Sequence, residues 1–180
     1  ASAIAPDRVA VVAKHLAAQG AGIGGRNGSG APIGRRELGE IHLRPAYAAA
    51  RAGVAGFMAA YNDIDGIPCS ANRELLTGTL REGWGWDGLV MADGTAIDRL
   101  RDSAPDPATA AAIALDAGVD LSLWDEAFTH VEEAVDRGIL DEEVVTRAAD
   151  RVLALKGRLG LLGEPDVPAA IPADPERERA

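Results

Sequence analysis

Short apolar runs recur along the chain, and each gives way to a polar or titratable residue. Gly88 to Ala92 stops at Asp93-Gly94, Val9 to Ala13 leads into Lys14-His15, Gly56 to Ala60 into Tyr61-Asn62, and Val119 to Leu123 into Trp124-Asp125. Unbroken apolar runs of this length read as strands buried on both faces, as in a parallel sheet. The residue where such a strand ends is also where parallel α/β folds carry their chemistry.

Between the runs the period changes to that of a helix. A glycine-rich loop, Gly20 to Gly30, is followed by a helical stretch that opens near Pro32 and runs through Leu38, Ile41 and Ala48 to Gly53, its stop. Pro45 predicts a kink or break inside it, because proline has no amide proton for an interior turn. Asp63 to Pro68 is turn chemistry, and Asn72 caps a helix with Leu75, Leu76 and Leu80 on one side. Asp106, Pro107 and Gly118 punctuate the next helix as cap, first position and stop. Asp125 and Gly138 bracket another through Phe128, Val131 and Val135, and Asp141 opens a last one through Val145, Val152, Leu155 and Leu159. Proline and charge dominate 164–180, which reads as an exposed linker or tail.

Strands alternating with helices predict an α/β fold with a parallel sheet, a barrel or a doubly wound one. A complete eight-stranded barrel needs about 250 residues, and four strand-helix units can be counted within 1–163. The chain also starts at Ala1, directly before a strand, with neither a basic leader nor an apolar signal core. The expectation is therefore half of a larger domain, with sequence missing upstream.

Composition narrows the partners. A formal net charge of -10, from 18 Lys and Arg against 28 Asp and Glu, leaves no basic face for phosphates, so nucleic acid is not expected. No apolar run approaches the roughly 20 residues of a membrane span. Cys69 is the one cysteine, so no intrachain disulfide forms; that fits a reducing compartment and leans toward a cytoplasmic setting. The edge strands of a half barrel would be unpaired, which predicts self-association.

Asp93 reads either as a catalytic carboxylate or as a cap satisfying backbone amides. Lys14, His15 and Arg26 lie on the first strand's end and its loop, and in a barrel they would converge on the mouth that holds Asp93. Nearby cations keep a carboxylate ionised, as a nucleophile must be. Lys14 could instead form a Schiff base, as in lysine-dependent aldolases, and His15 could be a core histidine. His42 and His130 fall in helical patterns and read as structural; no histidine pair has metal-ligand spacing, and no metal or cofactor is expected. The glycines at 20, 22 and 25 match the spacing of a dinucleotide fingerprint, but the loop continues to Pro32 where that motif would open a helix.

Taken in order, Lys14-His15, Gly24-Gly25-Arg26, Arg36-Glu37-Leu38, Met58 to Asn62, Asp65 to Pro68, Asn72 to Leu76 and Trp84 to Gly88 resemble family 3 glycoside hydrolases, the β-glucosidase-like enzymes. The similarity extends from Lys14 to Leu162. It implies the later half of a (β/α)8 TIM-type barrel, with Asp93 as the nucleophile and Lys14, His15, Arg26, Met58 and Tyr61 binding the terminal sugar of a β-glycoside substrate. Two departures stand out. Family members commonly carry an aromatic residue after the nucleophile, where this chain has Gly94, and Trp124 at the next strand end is the candidate replacement. Nothing here matches the acid/base carboxylate, which the family commonly supplies from beyond the barrel. The resemblance thus implies an exo-acting retaining β-glycosidase, with a non-catalytic sugar-binding homologue as the alternative.

Overall fold

The computed structural model describes residues 9–163; the expected tail at 164–180 lies outside the described residues. Three parallel strands, β1 (Val12–Leu16), β2 (Gly56–Ala59) and β5 (Leu89–Ala92), form one sheet in the order β1-β2-β5. Between β2 and β5 lies a two-stranded hairpin, β3 (Asp63–Ile64) with β4 (Ile67–Pro68). Its turn is Asp65-Gly66, both with positive φ (50° and 84°), the conformation that closes a two-residue hairpin. The expected turn at Asp63 to Pro68 is this hairpin.

Two strand expectations are corrected. The first strand begins at Val12, not Val9, so Lys14 and His15 lie within it. As the outer strand of the described sheet it has no layer to bury its start: Val9 is 84% exposed and Val11 54%, and full burial begins only at Leu16. The fourth run, Val119 to Leu123, contributes a single parallel bridge, Leu121 with Met91, rather than a strand. It is nevertheless laid along β5, with the Asp120 and Leu121 amides donating to Val90 O and the Ala92 amide to Leu121 O.

The segment expected to open a helix near Pro32 stays extended to Gly34, because Ala31 and Ile33 go into the core and the Ala31 amide donates to Asp63 O. Helix α1 (Arg35–Glu37) then passes through a π-helical turn, Leu38–His42, into α2 (Leu43–Ala52), which ends at Gly53 with φ 83°. Pro45 neither breaks nor stops this run. The widened turn ends at His42 and includes Ile41, whose carbonyl an amide at position 45 would otherwise bond in an α-helical ladder.

Asn72 caps the next segment as expected, its Oδ1 accepting from the Leu75 amide at 3.0 Å, but Glu74–Gly83 is π-helical along its length. Leu75, Leu76 and Leu80 are buried on its inner side. Helix α3 (Pro107–Ala117) runs from Asp106, which accepts from the Thr109 amide at 2.8 Å, to Gly118 at φ 116°. A 3-10 turn, Ala127–His130, leads into α4 (Val131–Asp136), and Asp141 caps α5 (Glu142–Arg158).

The core fills the space between the sheet and these helices. Phe57 and Val90, neighbours on adjacent strands, meet Leu75, Leu76, Leu80 and Ile97, and Phe57 packs edge-on against Trp86 at 5.0 Å between ring centroids. Alanines carry much of α3, and a smaller cluster of Leu115, Ala134, Leu140 and Ala148 holds α3 to α4 and α5. Lys14, Met58 and Met91 are register partners across the sheet, none of them fully buried. One face of the sheet is therefore packed and the other only partly covered.

Candidate active site

The carboxyl ends of β1, β2 and β5 come together at Asp93. Its amide donates to Ala59 O (3.3 Å), which ties the end of β5 to β2. One carboxylate oxygen accepts from the Gly94 amide at 2.9 Å, and the other lies 3.2 Å from Nε2 of His15. An Nε2–H donates to the carboxylate in the neutral tautomer and in the imidazolium alike. Both side chains are mostly buried, at 17% and 16% exposure for His15 and Asp93. His15 reaches the carboxylate where the pairing of β1 with β2 changes register, between Lys14 and Leu16, and such irregularities re-aim side chains.

Tyr61, just beyond β2, donates its hydroxyl to Gly94 O at 2.6 Å, so the residue after Asp93 is held from the neighbouring strand. Burial, then the Asp93 charge, push the phenol pKa above its ordinary value, and Arg99 opposes them. Arg99 supplies a cation that sequence reasoning missed: its guanidinium lies 4.3 Å from the centroid of the Tyr61 ring. It also abuts Gly28 of the glycine-rich loop, where a Cβ would meet Nη1 at 2.3 Å. Nothing in the spacing signals this stack, since Arg99 belongs to a 3-10 turn, Asp98–Asp102, whose path depends on the loop after β5.

Trp124, at the end of the fourth run, lies against Gly94. A Cβ on Gly94 would sit 2.3 Å from Cζ2 of the indole, so the ring occupies the space that a side chain at 94 would need. Trp124 is 70% exposed, presenting an aromatic surface at the rim beside Asp93.

Not every expected residue converges. Lys14 is exposed and makes no salt bridge to Asp93, and Arg26 is exposed on a loop fastened by its own bonds, Ser29 Oγ donating to Ile23 O and Arg26 O. Neither touches Asp93 among the described residues. Met58 sits half-buried in the middle of the sheet, one strand from Lys14. His42 lies with Lys14 and His15 around a cavity of about 180 Å³ behind β1, and His130 pairs with Glu133 at 3.0 Å on the surface.

Carboxylates also fasten the loops that carry the site. Asp125, expected to open its own helix, instead accepts from the Ile97 and Asp98 amides at 2.7 and 3.1 Å. Asp98 returns the arrangement, accepting from the Glu126 and Ala127 amides at 3.0 and 2.9 Å. The loops after β5 and after the fourth run thus cap each other's helical turns.

Comparison with known proteins adds the context. Residues 2–155 match the family model described as the Glycosyl hydrolase family 3 N terminal domain. A putative beta-xylosidase of Formosa agariphila is 36% identical over 162 residues, covering 87% of this chain and 21% of that protein. Among solved structures, a beta-glucosidase from intestinal bacteria, described as involved in saponin metabolism, superposes with a TM-score of 0.86 at 35% identity, over 94% of this chain and 23% of that one. A beta-glucosidase from Listeria innocua in complex with glucose superposes with a TM-score of 0.84 at 33% identity, over 88% and 22%. The chain spans about a fifth of the length of these relatives.

Proposed function

This chain belongs to glycosyl hydrolase family 3, its parallel sheet and helices being part of a TIM-type barrel, and on that premise we propose that it carries the nucleophile of a retaining, exo-acting β-glycosidase. The observation that carries the reading is the Asp93 carboxylate at a strand end, one oxygen on the Gly94 amide and the other facing His15 Nε2 at 3.2 Å. In the first step Asp93 attacks the anomeric carbon, and the bond from that carbon to the departing oxygen breaks. A second carboxylic acid, about 5 Å away in retaining enzymes, gives that oxygen its proton. That acid comes from outside this chain. Water then releases the sugar and restores the Asp93 carboxylate.

His15 and the Gly94 amide orient the nucleophile, and Tyr61 holds Gly94 in place. Lys14, Arg26, Met58 and Trp124 complete the sugar site, with Trp124 as the aromatic wall and Lys14 and Arg26 as donors to hydroxyl groups. The substrate is a β-glycoside, cleaved at its terminal sugar.

The test uses the whole glycosidase that contains this chain. A 2-deoxy-2-fluoro β-glycoside with a good leaving group forms the covalent intermediate but releases it slowly, and peptide mapping should find the sugar on Asp93. Asp93→Asn should abolish hydrolysis of an aryl β-glycoside while sugar binding stays measurable. A label on another carboxylate, or undiminished turnover by Asp93→Asn, would overturn the assignment. Sugar binding without any turnover in the unaltered protein would instead favour the binding homologue.

A further inference from the structure

On the side of the sheet where β5 begins, away from Asp93, the π-helical segment and α5 enclose a cavity of about 160 Å³ lined by Arg73, Arg81, Arg147 and Arg151. Four arginines lining one small space stand out in a chain of net charge -10. Asp120 accounts for part of that charge: its buried carboxylate accepts from Arg81 at 2.7 Å, from Arg151 at 2.8 Å and from the Val90 amide at 2.8 Å. Two arginines therefore share one carboxylate, and both of its oxygens are engaged. Arg81 also donates to Gly88 O and Gly118 O, yet its Nε is buried without a hydrogen-bond partner among the described residues.

Neither of the remaining two arginines, Arg73 and Arg147, pairs with Asp120 among the described residues. Arg73 donates to the main-chain oxygen of Asp116, which orients the guanidinium without neutralising it, and among the described residues it makes no salt bridge. Among the described residues Arg147 pairs only with exposed Glu143, at 3.2 Å. The lining itself sets four arginines against two carboxylates, Asp116 and Asp120, with Glu143 beside Arg147 and Asp87 within electrostatic reach of Arg81 from outside it. Thr77, whose hydroxyl donates to Ala117 O, adds a polar wall.

We propose that this cavity binds a phosphate-sized oxyanion, a second site independent of the sugar site. A tetrahedral oxyanion offers acceptors on every side, and guanidinium forks are the donors best matched to them. The pocket is small enough to take free phosphate or the phosphoryl group of a small metabolite, and that chemistry is the same in both cases.

Isothermal titration with inorganic phosphate at matched ionic strength tests it. One saturable site per chain is expected, and in the Arg73→Gln/Arg147→Gln double variant the affinity should fall about tenfold or more. These two residues are chosen because neither contacts Asp120, so the buried triad that holds α5 to the sheet is left intact. Glucose 6-phosphate, run alongside with glucose as control, distinguishes the sources: binding tighter than phosphate assigns the site to a phosphorylated metabolite, and equal or weaker binding assigns it to the free ion. No saturable heat with either, or the same affinity in a double variant that melts like the parent chain, would overturn the proposal.

Discussion

Gly94 and Trp124 behave as one unit written at two positions. Because a Cβ at 94 would come within 2.3 Å of the indole, even Gly94→Ala must push Trp124 off its seat. Trp124 is 70% exposed and can swing aside, so Gly94→Ala should cost at most about 1 kcal/mol in denaturant unfolding, and that cost should vanish in a Trp124→Ala background. Additive costs would show that the indole is not held there. At this scale the sequence was partly legible. Asp93, His15 and Tyr61 could be singled out because each closes an apolar run, and the structure brings these three together. Arg99 could not, since its place over Tyr61 depends on how two loops meet. Lys14 and Arg26 carry suitable chemistry in the sequence, but on an edge strand and a self-fastened loop both are exposed and neither contacts the carboxylate among the described residues.

Helices with local stop and start signals are set by their caps, and α3 shows how much one cap does. Asp106 accepts from the Thr109 amide and from both Nη atoms of Arg137, and these bonds hold its carboxyl well below the usual carboxylate range. A carboxyl depressed in the folded state stabilises it fully above the unfolded pKa and loses that effect as pH falls through the folded value. Asp106→Ala should thus lower the melting temperature by a constant amount from neutrality down to about pH 4, and the gap to the parent chain should close below that. A gap that persists at the acid end would mean the loss is one of packing. The caps at Asn72, Asp106 and Asp141 and the stops at Gly53, Gly118 and Gly138 were readable because each satisfies amides or adopts a backbone conformation within a few residues. The start of β1, the π-helical register of Glu74–Gly83 and the reduction of the fourth run to one bridge were not, because neighbouring elements decide all three.

For the molecule as a whole, the outer edge of β1 carries no partner strand among the described residues, and the face bearing Lys14, Met58 and Met91 is not fully covered. Unpaired strand edges recruit other strands, so the 180-residue chain should associate with itself, its net charge of -10 notwithstanding. Sedimentation velocity should show a weight-average mass that rises with concentration; a monodisperse monomer across the range would contradict this. The α/β class and the family were legible from alternating strands, helices and ordered motifs, because those features repeat over the chain rather than depend on one contact. The reciprocal capping between Asp98 and Asp125 reaches furthest, because it welds the segment bearing the carboxylate to the segment bearing the indole. Those two cannot drift apart without four bonds failing at once, whereas the Gly20–Gly30 loop is fastened largely to itself.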